Sequence, residues 1–222
     1  MGAGMETDKI QLKVLLVSLG AVILMGLLEV IGMRSVPREN GYLVLGAVRL
    51  VNICILVLIV IFIGDGLASV GLIRREILRG FKRGLLWSAA FGVVTSGVFL
   101  CLYLAGVNPF KLLSTSLPER PWVLIHFLVV GAVIAPLAEE LFFRGILYGF
   151  FRRWGIINAL ILSTTIFVGL HAVSGIPVTQ AVGGIVFALS YEIEKNLMVP
   201  ITIHVLGNSA IFGISMVSRF VG

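Results

Sequence analysis

Seven long apolar runs constrain this chain more than any other feature of its sequence. A helix needs about 20 residues to cross a hydrocarbon core about 30 Å thick, and most of the runs approach that length. Their predicted limits are Val14–Met33, Tyr42–Gly64, Gly84–Ala105, Trp122–Tyr148, Ala159–Val173, Ile176–Tyr191 and Leu197–Val217. Lipid offers no hydrogen-bond partners to backbone N–H and C=O groups, so each run is expected to form a helix that pairs these groups internally. The sequence therefore predicts an all-α, polytopic transmembrane helical bundle of about seven spans.

The composition favours a single integral membrane domain over residues 1–222. Apolar residues make up 59% of the chain and charged residues only 13%, whereas about a quarter of a soluble chain is charged. The net charge of +6 could suggest nucleic acid in a soluble protein. Here the basic residues cluster between apolar runs, where anionic lipid headgroups lie. We therefore expect the lipid bilayer as a partner, and no nucleic acid.

The basic residues also predict an orientation in the cell membrane. If the loop before the third span is cytoplasmic, inner segments carry ten Lys and Arg residues and outer segments five, which favours a cytoplasmic N-terminus. The inner set is Lys9, Lys13, Arg74, Arg75, Arg79, Lys82, Arg83, Arg152, Arg153 and Lys195; the outer set is Arg34, Arg38, Lys111, Arg120 and Arg219. The first run is too long for a signal peptide, so we expect it to remain as a span.

A basic segment at residues 65–83 separates the second and third runs. Leucines and isoleucines interleave with its charges at helical spacing. This pattern predicts an amphipathic helix that lies in the membrane interface, although a simple charged loop is the alternative.

Two ionisable residues flank the first predicted hairpin. From a turn near Arg38, Glu29 lies nine residues back and Arg49 eleven residues forward, so their depths are close. An ion pair between the first two spans is the preferred interpretation, since an isolated charge in a span costs several kcal/mol. Alternatively, Glu29 reaches the nearby interface by itself.

A second ionisable cluster interrupts the fourth run. Glu139, Glu140 and Arg144 lie in a stretch that is otherwise apolar. Glu140 and Arg144 are four residues apart, so they share a helix face and can pair. Glu139 lies about 100° round the helix and lacks that partner. An unpaired carboxylate suits a general base, but all three residues could equally form a structural charge network.

Two later runs carry imidazoles. From a turn near Trp154, Glu139 lies 15 residues back and His171 lies 17 forward. Antiparallel helices bring these two to a similar depth, where they can share a water. His204 and Asn208 are four residues apart on the last run, so both point the same way and could stabilise an oxyanion.

Three motifs summarise this cluster: Glu-Glu-x-x-x-Arg from Glu139, Phe-x-x-x-His ending at His171, and His-x-x-x-Asn from His204. In this order, on three spans, they resemble the CPBP family, which comprises CAAX proteases and bacteriocin-processing enzymes, also called Abi proteins. The flanking stretches APLAEELFFRGILYG and GGIVFALSYEIEKNLMVPITIHVLGNS resemble it too. The resemblance covers about residues 122–210, which are the predicted catalytic core spans.

The resemblance implies an intramembrane glutamic endopeptidase, similar to the Ras-converting CAAX endopeptidases, that needs no cofactor and no metal. By motif position, Glu139 would activate water with the help of His171, while His204 and Asn208 would stabilise the oxyanion. The supporting structural pair would be Glu140 and Arg144. The implied substrate is a peptide or lipidated peptide, which in the best-understood members carries a prenylated cysteine near its C-terminus.

Two other interpretations stay open at this point. Glu139, His171 and His204 could be three ligands of a catalytic zinc ion with an open fourth position, although their spacing is not H-E-x-x-H. A non-hydrolytic bacteriocin-immunity or membrane scaffold protein of the same family would use the motif residues only to hold its helices together.

Overall fold

The structure, a computed structural model, describes residues 10–113, 115–171 and 177–221. Within these residues it contains seven helices and no strand. The helices are α1 (Leu12–Ser35), α2 (Gly41–Phe62), α3 (Ile77–Leu104), α4 (Pro121–Trp154), α5 (Ile156–Leu170), α6 (Val178–Glu194) and α7 (Met198–Val221). Within the described residues, each predicted apolar run overlaps one helix, so the predicted all-α bundle is confirmed.

Five of these helices (α1, α2, α3, α4 and α7) are long and apolar enough to cross a membrane, by length and composition. α5 has 15 residues and α6 has 17, so they measure about 22 and 26 Å and are shorter than a hydrocarbon core. α5 packs against α6, and α6 packs against α7. The predicted junction at Ser174 and Gly175 lies outside the described residues.

The segment 65–83 differs from the predicted interfacial helix. Two 3₁₀ turns, Leu67–Val70 and Arg74–Glu76, occupy its first part, and α3 begins at Ile77. Gly71, with φ of 75°, ends the first turn, and this left-handed conformation interrupts a continuous helix. The basic residues beyond the second turn therefore belong to the first turns of α3, a helix of 28 residues.

α4 crosses the middle of the bundle and is not a regular α-helix. It widens into π-helical segments at Val130–Ile134 and Leu141–Tyr148. All eight residues of the second segment are buried. π-helical turns inside α-helices are frequent at functional sites, so a functional site is expected along α4.

The buried core surrounds the second half of α4. Most of its side chains come from α1, α2, α4, α5 and α6, together with Leu197, directly before α7, and Ile201 in its first turn. α3 lies at the edge of this arrangement, because none of its most apolar 18 residues is buried.

The first hairpin contains the predicted ion pair. Arg49 Nη2 lies 3.2 Å from Glu29 Oε2, which confirms the depth match counted along the sequence. The pair joins α1 to α2, the two helices that pack on each other along much of their length.

Candidate active site

Three helices bring titratable side chains together near the middle of the bundle. The cluster consists of Glu139, Glu140 and Arg144 from α4, His171 directly after α5, and His204 from α7. The α4–α5 hairpin turns at Gly155, and its two arms place Glu139 and His171 at the same depth, as the sequence count predicts.

Glu139 faces both imidazoles. Its Oε2 lies 3.7 Å from His171 Nε2 and 3.9 Å from His204 Nε2. These separations are longer than a direct hydrogen bond, so a water beside the three atoms could bond to more than one of them. The Glu139 side chain is 14% exposed, which leaves this carboxylate at the edge of the buried cluster.

The ring of His171 is oriented by its own helix. Its Nδ1 lies 2.7 Å from the Phe167 carbonyl oxygen. A carbonyl can only accept, so Nδ1 carries the hydrogen and donates it. In the neutral ring, Nε2 then has its lone pair directed toward Glu139, where it can accept a proton.

His204 connects the two adjacent carboxylates. Its Nδ1 lies 2.7 Å from Glu140 Oε1, and its Nε2 faces Glu139. The ring stacks on Phe187 with centroids 4.5 Å apart and an angle of 21° between the planes. One carboxylate and one aromatic face therefore hold this imidazole in place, with its second nitrogen directed into the site.

Glu140 and Arg144 form an ion pair inside the protein. Arg144 Nη1 donates to Glu140 Oε1 at 2.9 Å, and both side chains are almost fully buried. The guanidinium also donates to the Gly184 carbonyl at 3.3 Å and lies over the Phe167 ring, 4.6 Å from its centroid. Buried charges need such partners, because an uncompensated one is strongly destabilising.

Asn208 contacts α4 instead of the carboxylates. Its Nδ2 donates to the Gly131 carbonyl at 2.8 Å. In this π-helical segment an amide donates to the carbonyl five residues earlier, as Ala135 does to Val130. The residue that would donate to Gly131 in the same way is Pro136, which has no N–H. The Gly131 carbonyl is therefore available to Asn208. One hydrogen of the Asn208 amide is therefore used to hold α7 against the first π-helical segment, and the other is left for a ligand.

The comparison with known proteins concerns the part of the chain that carries this cluster. Residues 121–210 match the family model described as type II CAAX prenyl endopeptidase Rce1-like. This part of the chain, called the Rce1-like region below, is similar to that family. The match confirms the resemblance to the CPBP family, and because the family is one of proteases, it supports a hydrolase with a peptide substrate. No curated protein matches the chain, and no solved structure matches it.

Phe187, the aromatic side chain that packs on His204 in the Rce1-like region, is not among the site residues predicted from the sequence. Phe187 lies three residues after Gly184, on the same face of α6. An added Cβ at Gly184 would lie 2.9 Å from Thr164 Cγ2, so this glycine lets α6 approach α5 closely. The spacing of a small residue and an aromatic one on one helix face is the signal that could have located Phe187.

The alternative zinc ligands in the Rce1-like region are Glu139, His171 and His204. Among the described residues, no group of three or more His, Cys, Asp or Glu side chains is arranged to hold a metal ion. The arrangement therefore gives no support to the zinc interpretation, which a metal analysis tests directly.

Proposed function

We propose that this protein is an intramembrane endopeptidase in which Glu139 activates the attacking water. The observation that carries the proposal is the convergence of two Nε2 atoms, from His171 and His204, on Glu139 Oε2 at 3.7 and 3.9 Å. This convergence occurs within a region that matches a protease family. A carboxylate with two imidazoles beside it suits proton transfer at a water molecule.

In the proposed reaction, Glu139 takes a proton from water while the water oxygen bonds to the carbonyl carbon of the scissile peptide bond. The carbonyl oxygen becomes an oxyanion. His171 Nε2, held by the Nδ1 bond to Phe167, shares the proton. When the C–N bond breaks, that proton passes to the leaving nitrogen, so the products are a new carboxyl terminus and a free amine.

The oxyanion is stabilised by His204 and Asn208. As an imidazolium, His204 donates Nδ1–H to Glu140 and Nε2–H to the oxyanion, while Asn208 offers its remaining amide hydrogen. Before the attack, the negative charges on Glu139 and Glu140 are balanced by the positive charges on Arg144 and His204. Once Glu139 has taken the proton, the oxyanion carries the second negative charge in its place. The buried ion pair thus positions the imidazole that meets the developing charge.

The proposed substrate is a CAAX-type prenylated peptide or another membrane-associated peptide. The family description supports this class, and the apolar spans around the cluster suit a substrate that carries a lipid. With the N-terminus in the cytoplasm, the peptide would enter from the cytoplasmic side or laterally between helices.

Purified protein tests this proposal directly. We expect the wild type to cleave a prenylated CAAX peptide and to cleave the matched unprenylated peptide more slowly. Glu139→Ala should lower the cleavage rate by about 10²–10⁴, the usual contribution of general acid–base catalysis, with little change in melting temperature. If the wild type cleaves neither peptide, or if Glu139→Ala retains the wild-type rate, the proposal is wrong.

A further inference from the structure

α2 carries two polar side chains on the face that packs into the bundle, and the proposed reaction uses neither. Arg49 and Asn52 are three residues apart and share a helix face with Gly46 and Leu56. Leu56 is fully buried, and an added Cβ at Gly46 would lie 2.8 Å from Val130 Cγ2. This face therefore points into the bundle and not into lipid.

Arg49 lies between one and two helical turns from the carboxylate of Glu139. The Tyr42 ring meets the Phe127 ring, with centroids 5.2 Å apart, and Gly46 meets Val130 one turn later, so α2 and α4 run in the same direction. Counted from these contacts, Arg49 is level with residues 133–134 of α4, five to six residues or about 7–9 Å from Glu139 along the axis. Its guanidinium is close enough to act electrostatically on the Glu139 carboxylate.

The ion pair with Glu29 leaves part of the Arg49 guanidinium without a hydrogen-bond partner among the described residues. It uses Nη2, whereas the buried Nε has no hydrogen-bond partner among the described residues. Asn52 is 4% exposed, and its Oδ1 lacks a partner in the same way. Unpaired polar atoms are costly inside a protein, and an arginine within a membrane span is most often functional. A guanidinium presents a planar fork of donors that matches a carboxylate.

We propose that Arg49 and Asn52 form a subsite that binds the free C-terminal carboxylate of the substrate peptide. This inference rests on the proposed endopeptidase function. Three extended residues between the scissile bond and the terminus span about 10 Å, which covers the axial offset between Glu139 and Arg49. The substrate C-terminus then points toward the α1–α2 turn, and Glu29 keeps the arginine neutralised while the site is empty.

Two prenylated peptides that differ only in a C-terminal carboxylate or carboxamide test the subsite. Charge-assisted hydrogen bonds predict that the full-length wild type favours the carboxylate peptide by roughly tenfold to a hundredfold in kcat/KM. In Arg49→Gln this ratio should fall to about one. Arg38→Gln, which removes one positive charge from the turn before α2, is the matched control and should keep the wild-type ratio.

The possible outcomes separate the subsite from the proposed function. Equal cleavage of both peptides by the wild type overturns the subsite and leaves the endopeptidase proposal intact, whereas cleavage of neither refutes both. If Arg49→Gln lowers kcat/KM equally for both peptides, the ratio is preserved. Arg49 then has a structural role, and the subsite is overturned. If Arg49→Gln does not fold, Asn52→Asp decides, because its added negative charge should lower the ratio; an unchanged ratio overturns the subsite.

Discussion

Two adjacent glutamates on α4 have different surroundings at the residue scale. Glu140 is fully buried and bonded to both Arg144 and His204. Glu139 lies at the edge of the cluster and faces two ring nitrogens that do not bond to it directly. In the proposed reaction, one carboxylate therefore supports the site and the other exchanges protons with water.

The buried ion pair predicts a large effect on stability. Arg144→Ala removes one of the two positive charges that balance the buried carboxylates in the proposed charge state, so we expect a loss of about 3–5 kcal/mol, seen as a lower melting temperature in detergent. Arg120→Ala removes a partner of Glu39 from an exposed ion pair and should cost no more than about 1 kcal/mol. Equal melting temperatures for the two variants would contradict a structural role for Arg144.

Residue spacing predicts contacts within one helix or one hairpin, and it does not predict contacts that depend on helix rotation. The pairs Glu140–Arg144 and Glu29–Arg49 follow from counting along the chain. The bond between His204 and Glu140 joins α4 to α7, and no count gives the relative rotation of those two helices. The orphaned atoms of Asn52 and Arg49 are likewise visible only once α2 is packed on α4.

At the scale of single elements, the first π-helical segment of α4 links a proline to the site. Pro136 leaves the Gly131 carbonyl without a donor in α4, and Asn208 supplies one from α7. An apolar run gives no sign of this feature, because a change of helical pitch leaves its composition the same. Hydropathy predicts where α4 lies but not where it widens.

Pro136→Ala tests this link. The new N–H can bond the Gly131 carbonyl in competition with the Asn208 amide, which weakens the contact that holds this side chain. We expect kcat to fall toward the loss of about 10²–10³ typical for removal of one oxyanion donor, while the melting temperature stays equal or rises, since proline inside a helix is unfavourable. Asn208→Ala is the reference variant, and an unchanged kcat in Pro136→Ala would show that this bond does not position the site.

α3 depends on two glycines for its attachment to the bundle. An added Cβ at Gly84 would lie 2.5 Å from Thr202 Cβ on α7, and one at Gly80 would collide with the Asn196 side chain. Gly92, on the same helix, has no such neighbour within 4 Å. The close approach at these two glycines therefore lets α3 pack against α7 and the residue before it.

The two kinds of glycine on α3 predict opposite results. Gly84→Ala should lower stability by about 1–3 kcal/mol through overpacking, and Gly92→Ala should leave it unchanged or raise it, since alanine favours a helix. Thermal unfolding of both variants checks this. A lower melting temperature for Gly92→Ala than for Gly84→Ala would contradict the packing of α3 on α7.

At the scale of the whole molecule, two carboxylates tie three helices together at one end of the bundle. Glu194, at the end of α6, accepts from Arg83 and from Trp87 on α3. Glu192 accepts from Arg152 and from Tyr148 on α4. The hydrogen bonds from Arg83 lower the pKa of Glu194. Burial alone would raise the pKa of Glu192, but its hydrogen bonds from Arg152 and its neighbours outweigh burial and lower it.

These shifts predict how stability depends on pH. A carboxylate with a lowered pKa in the folded state stabilises the protein above its ordinary value of about 4.5, and the stabilisation is lost as the pH falls through the folded pKa. The melting temperature should therefore drop below about pH 4.5. Glu194→Gln should lower the melting temperature at neutral pH and flatten part of the acid drop, whereas the exposed Glu119→Gln should do neither.

The cleavage rate of metal-free protein tests the central claim most directly. Wild type and the isosteric Glu139→Gln are stripped with a chelator, their metal content is measured, and each is assayed with the same prenylated peptide. Water activation by Glu139 predicts full cleavage by metal-free wild type and almost none by Glu139→Gln at an unchanged melting temperature. Activity that disappears on chelation and returns with zinc, or cleavage that persists in Glu139→Gln, would contradict it.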